Sequence, residues 1–124
     1  MCIDYRRLNA ITKKDSFPLP LIDDLVDKLQ GAKIFSKVDL KSGFHQVKMD
    51  PDSIDRTTFV TDNGSFEWLV MPMGLSNAPA TFQRLMQQTF GHLKFVGIYL
   101  DDIIIFSNSL EEHKQLMWRL YSKF

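Results

Sequence analysis

The stretch FVGIYLDDIIIFS, residues 95–107, decides the fold of this chain. Two apolar runs rich in isoleucine, valine and phenylalanine, residues 95–100 and 103–107, are separated only by Asp101 and Asp102. Apolar runs joined by two residues are typical of a tight β-hairpin. We therefore predict two antiparallel strands with the two aspartates as their turn.

The pair Asp101 and Asp102 is an unusual choice for such a turn, because two-residue hairpin turns prefer Asn-Gly or another glycine-containing pair. Adjacent carboxylates repel each other, and burial beside apolar strands disfavours their ionised forms unless a cation is present. Mg²⁺ prefers hard oxygen ligands and is usually held by one or two carboxylates together with substrate phosphates. The pair therefore favours a divalent-metal site over a plain exposed turn.

A site for two metal ions needs a third carboxylate from a neighbouring strand, and Asp39 is the natural candidate. Residues 33–40 are rich in isoleucine, phenylalanine and valine, which predicts a strand, and Asp39 lies at its end. A strand-end aspartate that only makes a turn is the alternative. The other adjacent pair, Asp23 and Asp24, lies on the polar face of a predicted helix, so we expect it to be solvated.

The remaining strands follow from turn signals between apolar runs. Residues 1–9 are expected to be extended, and residues 45–49 to form a further strand that ends at Pro51. Asn63 and Gly64 lie between the apolar runs 57–61 and 66–71, which predicts a second hairpin. The predicted sheet content is therefore a set of short antiparallel strands.

Three helices are predicted from the spacing of apolar residues. The first covers residues 21–29 and is closed by Gly31, and the second runs from Ser76 or Asn77 to about residue 91. The third begins at Ser109, which together with Glu112 matches a capping box. On the second helix the periodicity places Gln83 and Arg84 on the polar face, where they are either solvated or available to phosphates.

Length and composition limit the classes of protein to which the chain can belong. A chain of 124 residues is one domain or a piece of one, and 44% hydrophobic residues exclude a disordered tail. A single cysteine, Cys2, excludes an internal disulfide and a cysteine-rich zinc site. The longest apolar runs are too short to span a bilayer and no leader opens the chain, so we expect a soluble, intracellular protein without a membrane partner.

The charge of the chain argues against a dedicated nucleic-acid binder, because 15 basic and 15 acidic side chains give a net charge of zero. Any site for a polyanion must therefore be local. One candidate is a series of lysines, for which a solvated face is the simpler interpretation: Lys28, Lys33, Lys37, Lys41 and Lys48.

Four ordered blocks carry a close resemblance to a known family. Residues 95–107 resemble the Tyr-x-Asp-Asp signature of reverse transcriptases, and FSKVDLKSGFHQV, residues 35–47, resembles the motif that bears their first catalytic aspartate. The blocks MPMGLSNAPATFQ, residues 71–83, and CIDYRRLN, residues 2–9, are similar to the intervening and preceding blocks. Together they are most similar to the polymerase of gypsy-type long-terminal-repeat retrotransposons, over essentially the whole chain.

The resemblance implies the roles of the acidic residues. Asp39, Asp101 and Asp102 match the three carboxylates that hold two Mg²⁺ ions, or Mn²⁺ in their place, during nucleotidyl transfer from a dNTP to a primer 3′-hydroxyl. The backbone carbonyl of Leu40 would be an additional ligand. Reactions of this class depend on metal clamping and positioning for most of their acceleration.

The resemblance also implies contacts with nucleotide and nucleic acid. Ser42 and Gly43 match positions whose backbone N–H groups meet the triphosphate, and Phe44 matches the aromatic gate that excludes a 2′-hydroxyl, although an ordinary core aromatic is its alternative. Met73 matches a position that is glutamine in retroviral relatives, and it would lie beside the incoming sugar. The residues implied to touch template and primer are Tyr99, Leu100 and Arg6, and an ion pair with Asp4 is the alternative for the last.

The fold class implied is α+β, a right-hand polymerase palm in which a small antiparallel sheet has helices packed on one face, with partial fingers. Residues 1–124 would be a fragment of the reverse transcriptase domain, with about 1–32 and 50–70 resembling fingers and about 33–49 and 71–124 forming the palm. The implied partners are an RNA or DNA template with its primer, a dNTP, and the thumb and ribonuclease H of a Pol polyprotein. The implied location is the cytoplasm or a virus-like particle.

Two other functions stay open on the sequence. The first is a catalytically inactive remnant or domesticated fragment that retains only the fold or a binding role. The second is a metal-dependent nuclease or phosphatase, which ranks last because such sites commonly use further ligands and the three histidines, His45, His92 and His113, are scattered.

Overall fold

The computed structural model describes all 124 residues, which form two units. The first unit consists of Met1–Ser16 and Lys41–Phe82, and the second consists of Phe17–Leu40 and Gln83–Phe124. These boundaries differ from those of the predicted fingers and palm segments. The division into fingers and palm stays a prediction.

The second unit is built on a three-stranded antiparallel sheet in the order β1-β5-β4. Its strands are β1 (Ile34–Asp39), β4 (Val96–Tyr99) and β5 (Asp102–Ser107). Side chains alternate between the two faces of a strand, and the inward positions of β5, Ile103 and Ile105, are 0% exposed. The predicted strands 33–40 and 103–107 are therefore confirmed, and the alternating burial along β5 defines the buried face of the sheet.

Helix α4 (Leu110–Tyr121) packs against β5. The Oγ atom of Ser109 accepts a hydrogen bond of 3.2 Å from the N–H of Glu112, which confirms the predicted cap. Buried His113 lies between two serines, with its Nε2 atom 2.8 Å from Ser36 Oγ on β1 and its Nδ1 atom 2.8 Å from Ser107 Oγ on β5. One histidine therefore joins β1, β5 and α4.

Helix α2 (Ile22–Leu29) packs against β4, and its predicted position is confirmed. A Cβ atom at Gly97 would lie 3.9 Å from Leu25 Cδ2, so the helix approaches the strand at its side-chain-free position. The Nζ atom of Lys28 donates a hydrogen bond of 2.6 Å to the carbonyl of Val96, and partial burial lowers the pKa of this lysine. Gly31, with a φ of 82°, closes the segment as predicted.

The first unit contains α1 (Arg6–Ile11), a hairpin of β2 (Phe59–Thr61) and β3 (Gly64–Phe66), and 3₁₀ turns over Gly43–Gln46 and Pro51–Thr57. Buried Tyr5 donates its hydroxyl to the carbonyl of Thr57 at 2.9 Å. The hairpin confirms the prediction, although its strands are shorter than expected and Asp62 with Asn63 forms the turn.

Helix α3 (Ala78–Phe90) begins in the first unit and ends in the second. The prediction of this helix from its apolar spacing is confirmed, because Phe82, Met86 and Phe90 are all buried. None of the four α-helices is long and apolar enough to cross a membrane.

Two predicted elements are wrong. Residues 1–9 are not extended throughout, because α1 begins at Arg6. Within this helix the side chain of Asn9 donates a hydrogen bond of 2.9 Å to the carbonyl of Gly74. Residues 45–49 do not form a strand: the 3₁₀ turn Gly43–Gln46 comes first, and only a single bridge joins Lys48 to Val70. In both places contacts with distant residues override the local preference of the sequence.

Candidate active site

The carboxylates of Asp39 and Asp102 belong to residues that stand directly opposite each other in the sheet. Asp39 is the last residue of β1, Asp102 is the first residue of β5, and they are partners in the antiparallel register. Side chains of directly opposed residues project from the same face, with Cβ atoms about 4.5–5.5 Å apart. The two predicted aspartates from distant parts of the sequence therefore lie together on one face of the sheet.

The turn between β4 and β5 is made by Leu100 and Asp101, so the prediction that Asp101 and Asp102 form it is wrong by one position. Tyr99 and Asp102 pair across the strands on either side of it. Leu100 has a φ of 54°, in the left-handed region that a bulky residue rarely occupies. The shift places Asp101 on the exposed turn and Asp102 within the sheet.

Gln83 supports this turn from α3, although the sequence placed it on the polar face of the helix. The side chain is 0% exposed, and its Oε1 atom accepts a hydrogen bond of 2.6 Å from the N–H of Leu100. Its Nε2 atom has no hydrogen-bond partner. A strained backbone persists only where the surroundings hold it, and here a buried amide holds the turn that carries Asp101.

We expect the substitution Gln83→Leu to destabilise the chain by about 1 kcal/mol, because the N–H of Leu100 loses its acceptor. The effect stays modest because the substitution also removes the unpartnered Nε2 atom. Urea unfolding followed by circular dichroism measures the change. Exposed Gln88 on the same helix provides the matched control, and equal stability of Gln83→Leu and Gln88→Leu would contradict the supporting role.

Lys37 occupies the same face of the sheet as the paired aspartates. Its Nζ atom lies 3.0 Å from Asp102 Oδ1, and the two side chains are 61% and 39% exposed. The hydrogen bond and charge of Asp102 raise the pKa of Lys37, with smaller contributions from the charges of Asp39 and Asp101. All three predicted carboxylates therefore act on one ammonium group.

The three aspartates are not gathered into one set of metal ligands, since no group of three or more histidine, cysteine, aspartate or glutamate side chains is arranged to hold a metal ion. Their chemistry nevertheless fits Mg²⁺ or Mn²⁺. The donors are hard carboxylate oxygens, and the ammonium of Lys37 already lies 3.0 Å from one of them, Asp102 Oδ1, as a cation. Leu40 follows Asp39 directly and lies just beyond the end of β1.

The residues predicted to contact a nucleotide lie in the first unit. Ser42 adopts a left-handed conformation with a φ of 49°, and Gly43, which follows it, is buried. The ring of Phe44 meets buried Phe82 edge to face at a centroid distance of 5.3 Å and stays half-buried. Met73 is exposed. Phe44 therefore packs on Phe82 within the unit and keeps part of its surface exposed.

The predicted template and primer contacts are divided between the units. Tyr99 ends β4 and Leu100 begins the turn, both half-buried in the second unit. Arg6 lies in the first unit and makes a bidentate ion pair with Asp4, with Nη2 2.7 Å from Oδ2 and Nε 3.0 Å from Oδ1. This pair lowers the pKa of the Asp4 carboxyl to about 2. The ion pair that the sequence left open for Arg6 is thus present.

Comparison with known proteins gives one consistent family. The family model described as reverse transcriptase (RNA-dependent DNA polymerase) matches residues 1–124. The retrovirus-related Pol polyprotein from transposon 297 of Drosophila melanogaster is 49% identical over 123 residues, which are 98% of this chain and 12% of that protein. An RNA-directed DNA polymerase homolog of Oenothera berteroana is 50% identical over 118 residues, which are 91% of this chain and 83% of that one.

The fold agrees with a solved structure. A foamy viral protease-reverse transcriptase in complex with double-stranded DNA matches 99% of this chain and 22% of its own, with a TM-score of 0.91 and 24% identity. The predicted α+β polymerase fold is therefore confirmed, while the chain spans only a small part of the polyprotein and of the solved enzyme that it matches. The chain belongs to the reverse transcriptase (RNA-dependent DNA polymerase) family.

Proposed function

We propose that residues 1–124 are the catalytic palm, with part of the fingers, of an RNA-directed DNA polymerase from the Pol polyprotein of a gypsy-type retrotransposon. The reaction is nucleotidyl transfer from a dNTP to a primer 3′-hydroxyl. The observation that carries this proposal is the pairing of Asp39 with Asp102 across β1 and β5, next to the turn that bears Asp101, in a chain of the reverse transcriptase family.

Three side chains and one backbone group would hold two divalent ions, Mg²⁺ or Mn²⁺: Asp39, Asp101, Asp102 and the carbonyl of Leu40. Bound there, the ions would supply Lewis-acid activation of the primer hydroxyl and would neutralise charge on the triphosphate and its leaving group. The protein contributes placement. The sheet register holds Asp39 against Asp102, and the amide of Gln83 holds the turn that carries Asp101.

The nucleotide is held by the segment that follows Asp39. In this proposal the backbone N–H groups of Ser42 and Gly43 meet the triphosphate, Phe44 excludes a 2′-hydroxyl, and Met73 contacts the sugar by shape. The left-handed Ser42 and the buried Gly43 support the first role, because such a backbone presents N–H groups to an anion. The half-buried ring of Phe44 supports the second role.

Template and primer are the macromolecular partners, with contacts from Arg6, Tyr99 and Leu100. Members of this family generally depend on divalent metal ions, and the solved relative in complex with double-stranded DNA supports a nucleic-acid partner here. The thumb and ribonuclease H of the same Pol polyprotein are the proposed protein partners, in the cytoplasm or in a virus-like particle. Part of the phosphate contact would then come from those partners, which fits the zero net charge of this chain.

The experiment that tests the activity is a chimaera in which residues 1–124 replace the matching segment of a related polymerase. With Mg²⁺, dNTPs and a DNA primer annealed to an RNA template, the chimaera is expected to extend the primer. A chimaera that folds and binds the template and primer but extends nothing would favour the inactive remnant instead.

The gate proposed for Phe44 predicts a change of sugar specificity. In the chimaera, Phe44→Val is expected to lower the preference for dNTP over rNTP, measured as a ratio of kcat/KM, on the order of 10- to 100-fold, because the bulk that meets a 2′-hydroxyl is removed. Steady-state single-nucleotide incorporation measures this ratio. Use of dNTPs is expected to stay largely intact.

Phe59 offers the matched control, since its half-buried ring stacks on Phe66 in the same unit. The substitution Phe59→Val removes an aromatic ring of equal size and should leave the sugar preference unchanged. If Phe44→Val loses both activities together, Phe44 is an ordinary core aromatic that packs on Phe82.

A further inference from the structure

The face of the sheet that carries the paired aspartates also carries a cation of the protein itself. Successive side chains of a strand point to opposite faces, so Lys37 and Asp39 share the exposed face of β1. Lys37 is paired with Ile104 in the register, and these two residues form the next pair along the face that carries Asp39 and Asp102. From there its Nζ atom reaches diagonally to Asp102 Oδ1 at 3.0 Å.

We propose that Lys37 is an internal counter-ion of the metal site, which holds Asp102 while no metal is bound and is displaced from it when a divalent ion binds. This inference rests on the proposed function, because it concerns the same three aspartates. It assigns a positioning role to a residue that contacts neither nucleotide nor primer in the proposed reaction.

The electrostatics agree with this geometry. Neighbouring carboxylates repel one another, and the ammonium of Lys37, 3.0 Å from Asp102 Oδ1, reduces that repulsion. A divalent ion supplies twice the charge to the same oxygens. Because the ion pair is exposed on both sides, it is weak enough for a metal ion to displace.

The side chain of Lys37 is also suited to release Asp102. Its flexible stem allows the ammonium to move into solvent without disturbing the backbone of β1. Lys33 lies just before the first residue of β1, is also exposed and forms no ion pair. Lys33 therefore has no contact with the aspartates comparable to that of Lys37. Its substitution by methionine changes the net charge by the same amount and provides a control.

The test is direct binding of Mn²⁺ to the 124-residue chain, followed by electron paramagnetic resonance of the free ion. Lys37→Met is expected to bind Mn²⁺ about two- to fivefold more tightly than the wild type, which is the range set by the strength of exposed ion pairs. Lys33→Met should stay at the wild-type affinity. Lys37→Arg, which keeps the cation, should also stay close to the wild type.

A second readout follows the lysine itself. In a Mg²⁺ titration monitored by NMR, the side-chain Hε and Cε signals of Lys37 are expected to move as the ion binds, whereas those of Lys33 stay in place. A residue that only stabilises the sheet would not respond in this way. Circular dichroism of each variant verifies that the sheet is retained, as expected for two exposed positions.

The outcomes separate this inference from the proposed function. If Asp39→Asn and Asp102→Asn leave Mn²⁺ binding unchanged, these carboxylates are not a metal site and both proposals fail. If they weaken binding but Lys37→Met behaves like Lys33→Met, only the counter-ion role is overturned. The counter-ion role is supported if Lys37→Met binds Mn²⁺ more tightly than the wild type while Lys37→Arg and Lys33→Met keep the wild-type affinity.

Discussion

Replacement of Asp39 by asparagine is expected to lower primer extension by the chimaeric polymerase on the order of 10³-fold or more. The substitution keeps the size of the side chain and removes the charge that stands opposite Asp102. Stabilisation of transition-state charge by bound metal ions is worth several kcal/mol, and each 1.4 kcal/mol corresponds to about tenfold in rate. Steady-state extension of a DNA primer on an RNA template measures the loss.

The matched control is Asp23→Asn, because Asp23 belongs to the other adjacent acidic pair and lies exposed on α2. It removes the same charge from the same unit and should leave extension unchanged. Circular dichroism should show that both variants keep their helix content. Extension by Asp39→Asn at the rate of Asp23→Asn would remove Asp39 from the catalytic site.

Residues 1–124 alone are expected to extend no primer at a measurable rate, even with all three aspartates intact. The chain matches only 22% of the solved foamy viral chain, so most of that protein's surface lies outside the matched region. Its zero net charge provides no electrostatic steering of a polyanion. Positioning of reactants contributes on the order of 7 to 11 kcal/mol to such reactions, and its loss is sufficient to suppress the rate below detection.

The measurement compares the isolated chain with the chimaera at equal concentration of Mg²⁺, template, primer and dNTPs. Circular dichroism of the isolated chain serves as evidence that the material is folded. Extension by the isolated chain that is lost in Asp101→Asn would show that positioning from outside these residues is unnecessary.

The sheet of the second unit could be predicted from the sequence because its pattern is local. The continuous apolar runs 95–100 and 103–107 give the strands β4 and β5, and Ser109 with Glu112 gives the start of α4. Helix α1 could not be predicted in this way. It has only six residues, and it depends on contacts with distant positions, such as the hydrogen bond from the N–H of Ser76 to Asn9 Oδ1 at 2.9 Å.

The candidate site shows the same division between local and distant information. Asp101 and Asp102 are visible as a pair that breaks the preferences of a two-residue turn, and Asp39 is visible as an aspartate at the end of a predicted strand. The one-residue shift of the turn is set by the pairing of Tyr99 with Asp102 and by Gln83. The sequence singled out Lys37 only as one of five lysines of a candidate polyanion site. Its contact with Asp102 required the register of β1 with β5, which no local pattern contains.

The pairing of β1 with β5 also has a consequence for the order in which the protein folds during synthesis. Asp39 and Asp102 are 63 residues apart in the chain, and all of Leu40–Asp101 must leave the ribosome before they can meet. Closing so long a loop is slow compared with forming the local hairpin of β4 and β5. His113, which joins both strands to α4, is translated later still. The face that carries Asp39 and Asp102 is thus a late product of folding, and a nascent chain exposes the unpaired edge of β1 until β5 arrives.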